Sequence, residues 1–335
     1  MSSDSDFRVR TVNANTLFGD QLGNFEGLFR GSRVDLHAAY GIARGLTFSR
    51  GLLAEPGHRL VWIRGDAVSS TVVGEASSYV IVGRHAKCQA ILPDDPTIAL
   101  RHLLLRSNAQ PDGSVTLRIV DLHTETGFLL ADGSKQRSIL AEGPVAIQVG
   151  EYALVAIPAW SSLPLALELP ALQVNASDAS SSSAGESPYR ANARSHAVSR
   201  ITLMPNLLVL GEAPRAQMAV TRTGVGTTYV LKVVSRGASA KVLVDNADLD
   251  RGIVVGRSLK CHSESLRRLT SLGTSRLHLL IARDRGVIYA YDLASTHGTT
   301  ASGARVRRHP LLDGGTTLTL GDGGRGVGLH WARCS

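Results

Sequence analysis

Aromatic residues are scarce, at 5% of 335 positions, and long apolar runs are missing altogether. No stretch approaches the roughly eighteen uninterrupted apolar residues of a membrane-spanning helix. The opening residues Met1 to Asp6 carry neither the basic nor the apolar region of a secretory signal, so a cytoplasmic location is expected. Cysteine is also short. Cys88, Cys261 and Cys334 are odd in number and form no Cys-x-x-Cys pair, which argues against a disulfide framework or a tetrahedral zinc site and for free thiols. Helical periodicity is nearly absent; the best candidate is 32–44, where Ser32 would cap and Val34, Ala38 and Ile42 share one stripe. What the chain has instead is glycine, 34 residues of it, among 43% hydrophobic and 19% charged residues. That is the make-up of a turn-rich globular protein, not of a coiled coil, a collagen or a disordered chain. At this length two domains are expected.

Charge is unevenly placed. Residues 1–200 hold 18 basic and 19 acidic side chains, and residues 201–335 hold 18 and 9, so the net charge of +8 resides in the second part. An excess of this sign favours an anionic partner, whether phosphoprotein, nucleic acid or membrane surface.

Two segments about 170 positions apart share landmarks in the same order. The first reads Val82-Gly83-Arg84-His85-Ala86-Lys87-Cys88, then Ala99-Leu100-Arg101-His102, then Asp121-Leu122-His123-Thr124-Glu125-Thr126-Gly127. The second reads Val255-Gly256-Arg257-Ser258-Leu259-Lys260-Cys261, then Ser275-Arg276-Leu277-His278, then Asp292-Leu293-Ala294-Ser295-Thr296-His297-Gly298. Short β-branched runs at 78–82, 115–120, 229–234 and 287–291, separated by glycine-containing turns, point to sandwiches of short strands. Residues 175–199 are rich in Ser, Ala and Asn without apolar periodicity and read as a linker. The expected division is an extension at 1–56, a first domain at 57–160, a linker at 161–200 and a second domain at 201–335 with its core at 225–335.

A Gly-Arg after an early strand, a Ser-Arg-x-His loop and an Asp-x-x-Ser-Thr-Asn-Gly turn are the landmarks of the forkhead-associated (FHA) family. The chain resembles a tandem FHA protein of bacterial type over about 57–160 and 225–335. The resemblance implies an all-β chain of two eleven-stranded sandwiches, with the ligand site in loops at one end, and recognition of phosphothreonine in a peptide. It assigns Arg257, Ser275 and Arg276 to the phosphate and Thr296 and His297 to the peptide beside it. A phosphate dianion with three acceptor oxygens suits such donors. At roughly 1.5 to 3 kcal/mol for each charge-assisted hydrogen bond, three of them less the ordering cost give affinity near the micromolar range. His278 is implied to be a strut of the binding loop, with Gly256 and Gly298 structural beside it. His297 stands where the family has asparagine, which changes the donors and acceptors offered to the peptide and introduces some pH sensitivity.

The first copy departs further. Ala99 and Leu100 replace the serine and arginine of the loop, and Thr126 replaces the asparagine of the turn. Arg84, Thr124 and, as a substitute cation, Arg101 are the residual site, with His102 kept as the strut. Losing a hydroxyl donor and a cation removes roughly 2 to 5 kcal/mol, enough to turn micromolar binding into millimolar. A degenerate FHA domain making a phospho-independent protein contact is expected.

Other readings carry less. Ser275, His278 and Asp292 include the residue types of a hydrolase triad, but Gly273-Thr274-Ser275-Arg276-Leu277 is no Gly-x-Ser-x-Gly elbow. Gly321 to Gly326 satisfies Gly-x-Gly-x-x-Gly without a βαβ pattern and reads as a hairpin turn. Arg267, Arg268, Arg305, Arg307, Arg308 and His309 form a basic cluster without interleaved aromatics, less a nucleic-acid patch than solvated arginines or a selector of acidic residues flanking a phosphothreonine. The linker from Ala171 to Ile201 has eight serines and no threonine, which leaves Thr11 and Thr16 as the candidates for self-docking. The expectation is a non-enzymatic adaptor without metal or cofactor, its partner a phosphothreonine-bearing protein such as a Ser/Thr kinase or its substrate, with other subunits in contact. The alternatives are an assembly subunit of a secretion-type complex whose FHA domains bind no phosphate and, third, a nucleic-acid-binding scaffold.

Overall fold

A computed structural model of the chain describes residues 10–13, 29–30, 33–49, 56–74, 79–110, 114–158, 173–175, 200–204, 207, 228–261, 264–270, 273–321 and 326–334. They form two compact units, Met1–Met204 and Pro205–Ser335.

In the first unit, apolar residues at alternate positions of short strands bring two sheets face to face around Leu60, Trp62, Val80, Val82, Leu105, Leu117, Ile147 and Leu154. One sheet runs Arg10–Asn13, Ala67–Gly74, Gly57–Arg64, Tyr152–Pro158, Val145–Val149, Phe128–Leu129, Lys135–Gln136. Its partner runs Gln173–Asn175, Arg200–Leu203, Ser138–Glu142, Val115–Asp121, Leu103–Ala109, Tyr79–Gly83, Ala90–Ile91.

The second unit repeats this order. One sheet runs Ala238–Val244, Tyr229–Ser235, Val327–Arg333, Thr316–Leu320, Thr299–Ala301, Ala304–Val306, and the other Ile253–Val255, Leu279–Asp284, Val287–Asp292, Arg308–Pro310. Leu231, Val255, Ile281, Leu318, Leu329 and Trp331 fill the space between them. Without the flanking strands Arg10–Asn13, Gln173–Asn175 and Arg200–Leu203, and apart from the separate pair Phe29–Arg30 and Arg33–Val34, the two facing sheets of the first unit have the eleven strands implied by the resemblance. The second has ten among the described residues, for want of a counterpart to Ala90–Ile91.

The helix lies at Leu36–Ser49, not at 32–44. Asp35 is the reason: its Oδ1 accepts the N–H groups of His37 and Ala38, both at 3.0 Å, placing a carboxylate at the positive end of the helix. Arg33–Val34 is instead a short strand paired with Phe29–Arg30, and Ser32 lies outside the described residues. Leu36, Ala39, Tyr40, Ala43 and Leu46 then fall on one face and pack against Val61, Ile63, Val68, Ala153, Val155 and Ile157. These are the outward residues of the first sheet, so Gly57–Arg64 and Tyr152–Pro158 are buried on both faces. The described residues of the amino-terminal extension thus belong to the first unit. The boundary drawn at 200/201 also moves, because Arg200–Leu203 pairs with Ser138–Glu142 and Ile201 enters the first core. Of the linker at 161–200, only 173–175 and 200 lie within the described residues.

Cys88 and Cys261 are free and occupy the same place in each sandwich. Their Sγ–H groups donate to the carbonyls of Leu100 (3.3 Å) and Arg276 (3.4 Å), and burial pushes both thiols up to about 12. At that value they are packing residues, not nucleophiles.

Candidate functional site

The site is built by three loops at one end of the second sandwich, and His278 ties two of them together. It is fully buried. Its Nδ1 accepts the N–H of Ser275 (3.1 Å), which leaves Nε2 protonated to donate to the carbonyl of Gly298 (3.1 Å). The imidazole therefore bridges the 275–278 loop to the 292–298 turn. Within that turn the Asp292 carboxylate accepts from Ser295 N–H (2.8 Å), Ser295 Oγ (2.7 Å) and Thr299 Oγ1 (2.7 Å), while Ser295 Oγ accepts from Gly298 N–H (2.9 Å). Buried polar groups of this density are stable only because each is paired.

The Gly-Arg loop docks on the same frame. The N–H groups of Arg257 and Ser258 donate to the carbonyls of Ser275 (3.3 Å) and Arg276 (3.0 Å). That approach is why position 256 is glycine: a Cβ there would collide with the Arg276 carbonyl oxygen. Arg257 Nε donates to the Thr274 carbonyl (2.9 Å), which fixes the stem of the side chain and leaves the rest of the guanidinium at the exposed rim. Arg276, Thr296 and His297 are exposed around it, and Ser275 is buried beneath, its Oγ accepting the Thr296 N–H (2.9 Å). All five residues that sequence reading grouped are thus brought to one end of the sandwich. Ser275 differs from the rest in also holding Thr296 in place.

The corresponding loops of the first unit have the same skeleton. Ala99 N–H donates to His102 Nδ1 (3.1 Å), His102 Nε2 to the Gly127 carbonyl (2.9 Å), and Arg84 Nε to the Ile98 carbonyl. A Cβ on Gly83 would meet Leu100 O as one on Gly256 meets Arg276 O. His123 and Ala294 take the same left-handed φ, +59° and +54°. Two residues of the residual site do other work, however. Thr124 matches Ser295, not Thr296: it is buried, with Oγ1 donating to Asp121 (2.5 Å) and accepting from Gly127 N–H (3.0 Å). Arg101 matches Leu277 and is buried, close enough to Cys88 and His85 to act on their ionisation. The rim is then Arg84, Leu100 and Glu125, the last standing where the second unit has Thr296. Glu125 was missed by motif reading, although its place two residues before Gly127 was countable.

Charge follows the same division. Residues 256–278 hold five basic side chains and one acidic, and 293–312 hold three and none. Their counterparts, 83–102 and 122–141, hold three against two and two against two.

The FHA domain family model matches residues 253–321. This segment is an FHA domain. It spans the Gly-Arg loop, the Ser-Arg-x-His loop and the Asp292 to Gly298 turn of the second unit. No curated protein matches the chain. Among solved structures, the first FHA domain of Rv1747 from Mycobacterium tuberculosis is 24% identical with a TM-score of 0.25, over 32% of this chain and 98% of that one. The FHA domain of CT664 from Chlamydia trachomatis is 19% identical with a TM-score of 0.26, over 32% and 99%. Slr1951 from Synechocystis is 14% identical with a TM-score of 0.27, over 30% and 96%.

Proposed function

We propose that the chain is a non-enzymatic adaptor whose FHA domain at 253–321 grips phosphothreonine proteins, while the first sandwich makes a phospho-independent protein contact. The observation that carries this reading is the rim of the second unit. Arg257 and Arg276 are exposed cations on loops fixed by a buried histidine, with the Ser275 hydroxyl beneath, bonded to the exposed Thr296. A phosphate between the two guanidinium groups gains charge-assisted hydrogen bonds without further loop ordering, because the frame is already rigid. The first unit has the frame without the rim: Leu100 replaces one cation and the Glu125 carboxylate repels a phosphate dianion. Partners of this reading are a Ser/Thr kinase or its substrates, at a cytoplasmic location.

Titration of the full chain with a degenerate phosphothreonine peptide library, its phosphoserine and unphosphorylated counterparts, and an Arg257→Ala control tests the proposal. Binding that requires phosphothreonine and falls at least tenfold in the variant supports it. Equal affinity for phosphorylated and unphosphorylated peptides overturns it in favour of a structural subunit.

A further inference from the structure

The basic cluster on the second unit resolves into residues with different surroundings. Arg308 stacks on the Tyr289 ring, its Cζ 4.4 Å from the ring centroid, and so already has an electrostatic partner. Arg267 and Arg268 belong to the short helix Glu264–Leu269. Arg305 is different. It projects from Ala304–Val306, opposite Thr300 in the hairpin, and its guanidinium lies directly against the Asp292 to Gly298 turn. The measure of that approach is Gly298: a Cβ there would fall 2.6 Å from Arg305 Nε and 2.8 Å from Cζ and Nη2. Gly298, at φ +84°, is needed both for its left-handed backbone and to let this cation reach the turn.

Arg305 is exposed and makes no ion pair among the described residues. No acidic side chain occurs anywhere in 293–312. The first unit shows the contrast at the matching position: Lys135, opposite Leu129 in the same hairpin, donates through Nζ to the Glu125 carbonyl (3.1 Å) and sits in a segment whose charges cancel. The equivalent cation is thus engaged in one copy and uncompensated in the other, one residue from His297 at the rim.

We infer that Arg305 is a specificity-determining residue that selects a phosphothreonine ligand carrying a carboxylate on the side of the phosphate nearest His297. The inference rests on the phosphothreonine reading and names the class of peptide: acidic on one flank, not merely phosphorylated. An exposed guanidinium pairs with such a carboxylate in a single register, so the preference falls on one position of the peptide and fades with salt.

The test is a set of phosphothreonine peptides with Glu, Gln or Lys scanned through each flanking position, titrated against the full chain and its Arg305→Glu and Arg305→Gln variants. The expected result is a three- to tenfold preference for Glu over Gln at one position, abolished in Arg305→Gln and exchanged for a preference for Lys in Arg305→Glu. The exchange is a gain that a misfolded variant cannot produce. An acidic preference unchanged in both variants, or no flank preference in the native chain, overturns the inference while leaving phosphothreonine binding intact. Failure of every phosphorylated peptide to bind overturns both.

Discussion

Where the second sandwich presents Arg276 and Thr296, the first presents Leu100 and Glu125, on loops held by the same histidine and the same glycine. The contrast extends beyond the loops. In the first unit a helix covers one sheet, Arg10–Asn13 extends its edge beyond Ala67–Gly74, and Arg200–Leu203 with Gln173–Asn175 extends the partner sheet beyond Ser138–Glu142. In the second, Ala238–Val244 and Arg308–Pro310 are the edge strands at the matching places among the described residues, and Lys241, Leu243 and His330 are exposed. Among the described residues, one frame carries added strands, a helix and near-neutral loops, and the other a cationic rim. The lesson is that the frame and the rim are separable: His102 and His278 make the same two loop-tying hydrogen bonds beneath different rims.

The largest effect that sharpens this comparison comes from the helix. Leu46→Ala is expected to lower the stability of the first unit by about 2 to 5 kcal/mol, the usual loss for a buried leucine, with the second unit unchanged. Hydrogen exchange, which follows the strands of each unit separately, reads both halves of that statement. Next is the strut. His278→Ala orphans Ser275 N–H and the Gly298 carbonyl and should destabilise the second unit by about 2 to 4 kcal/mol, with His102→Ala matching it in the first. A large effect in only one copy would break the claim of a shared frame, and denaturant melts of both variants decide it.

Acid divides the copies more gently. His58, in the first unit, is buried with Nδ1 2.9 Å from Ser107 Oγ, and burial pushes its pKa down to about 3. The unfolded chain, titrating near its ordinary value of about 6.5, binds a proton that the folded unit refuses. The stability this group supports is therefore complete above about pH 6.5 and is lost as pH falls toward 3, at about 1.4 kcal/mol per pH unit. His102 shifts in the same direction, chiefly by burial. The unfolding free energy of the first unit, from denaturant melts, should fall by about 2 kcal/mol between pH 6.5 and 5 on account of His58, and His58→Gln should flatten that slope. The last effect is a gain. Combining Ala99→Ser, Leu100→Arg and Glu125→Thr gives the first unit the serine, arginine and threonine of the second and should raise its affinity for phosphothreonine peptides at least about thirtyfold, worth about 2 kcal/mol, measured by titration in an Arg257→Ala background.

Much of this was legible in the chain itself. The spacing of Gly-Arg, the x-x-His loop and the Asp-to-Gly turn is kept because each residue touches another at backbone distance, so order and spacing survive in both copies. The rim residues of the second unit followed from that register. What escaped was set by contacts remote in sequence. The helix start depends on Asp35, a cap outside the apolar stripe. The three flanking strands are too short to alternate visibly. Arg101 carries the right charge but the wrong direction, buried beside Cys88, which spacing from His102 does not reveal. Arg305 reaches the turn only through hairpin register.

The number of phosphothreonine sites per chain tests the central claim most directly. Calorimetric titration of the full chain with a phosphothreonine peptide should give one site, unchanged in Arg84→Ala and lost in Arg257→Ala. Two sites, or a site that survives Arg257→Ala and disappears in Arg84→Ala, would contradict the division between frame and rim.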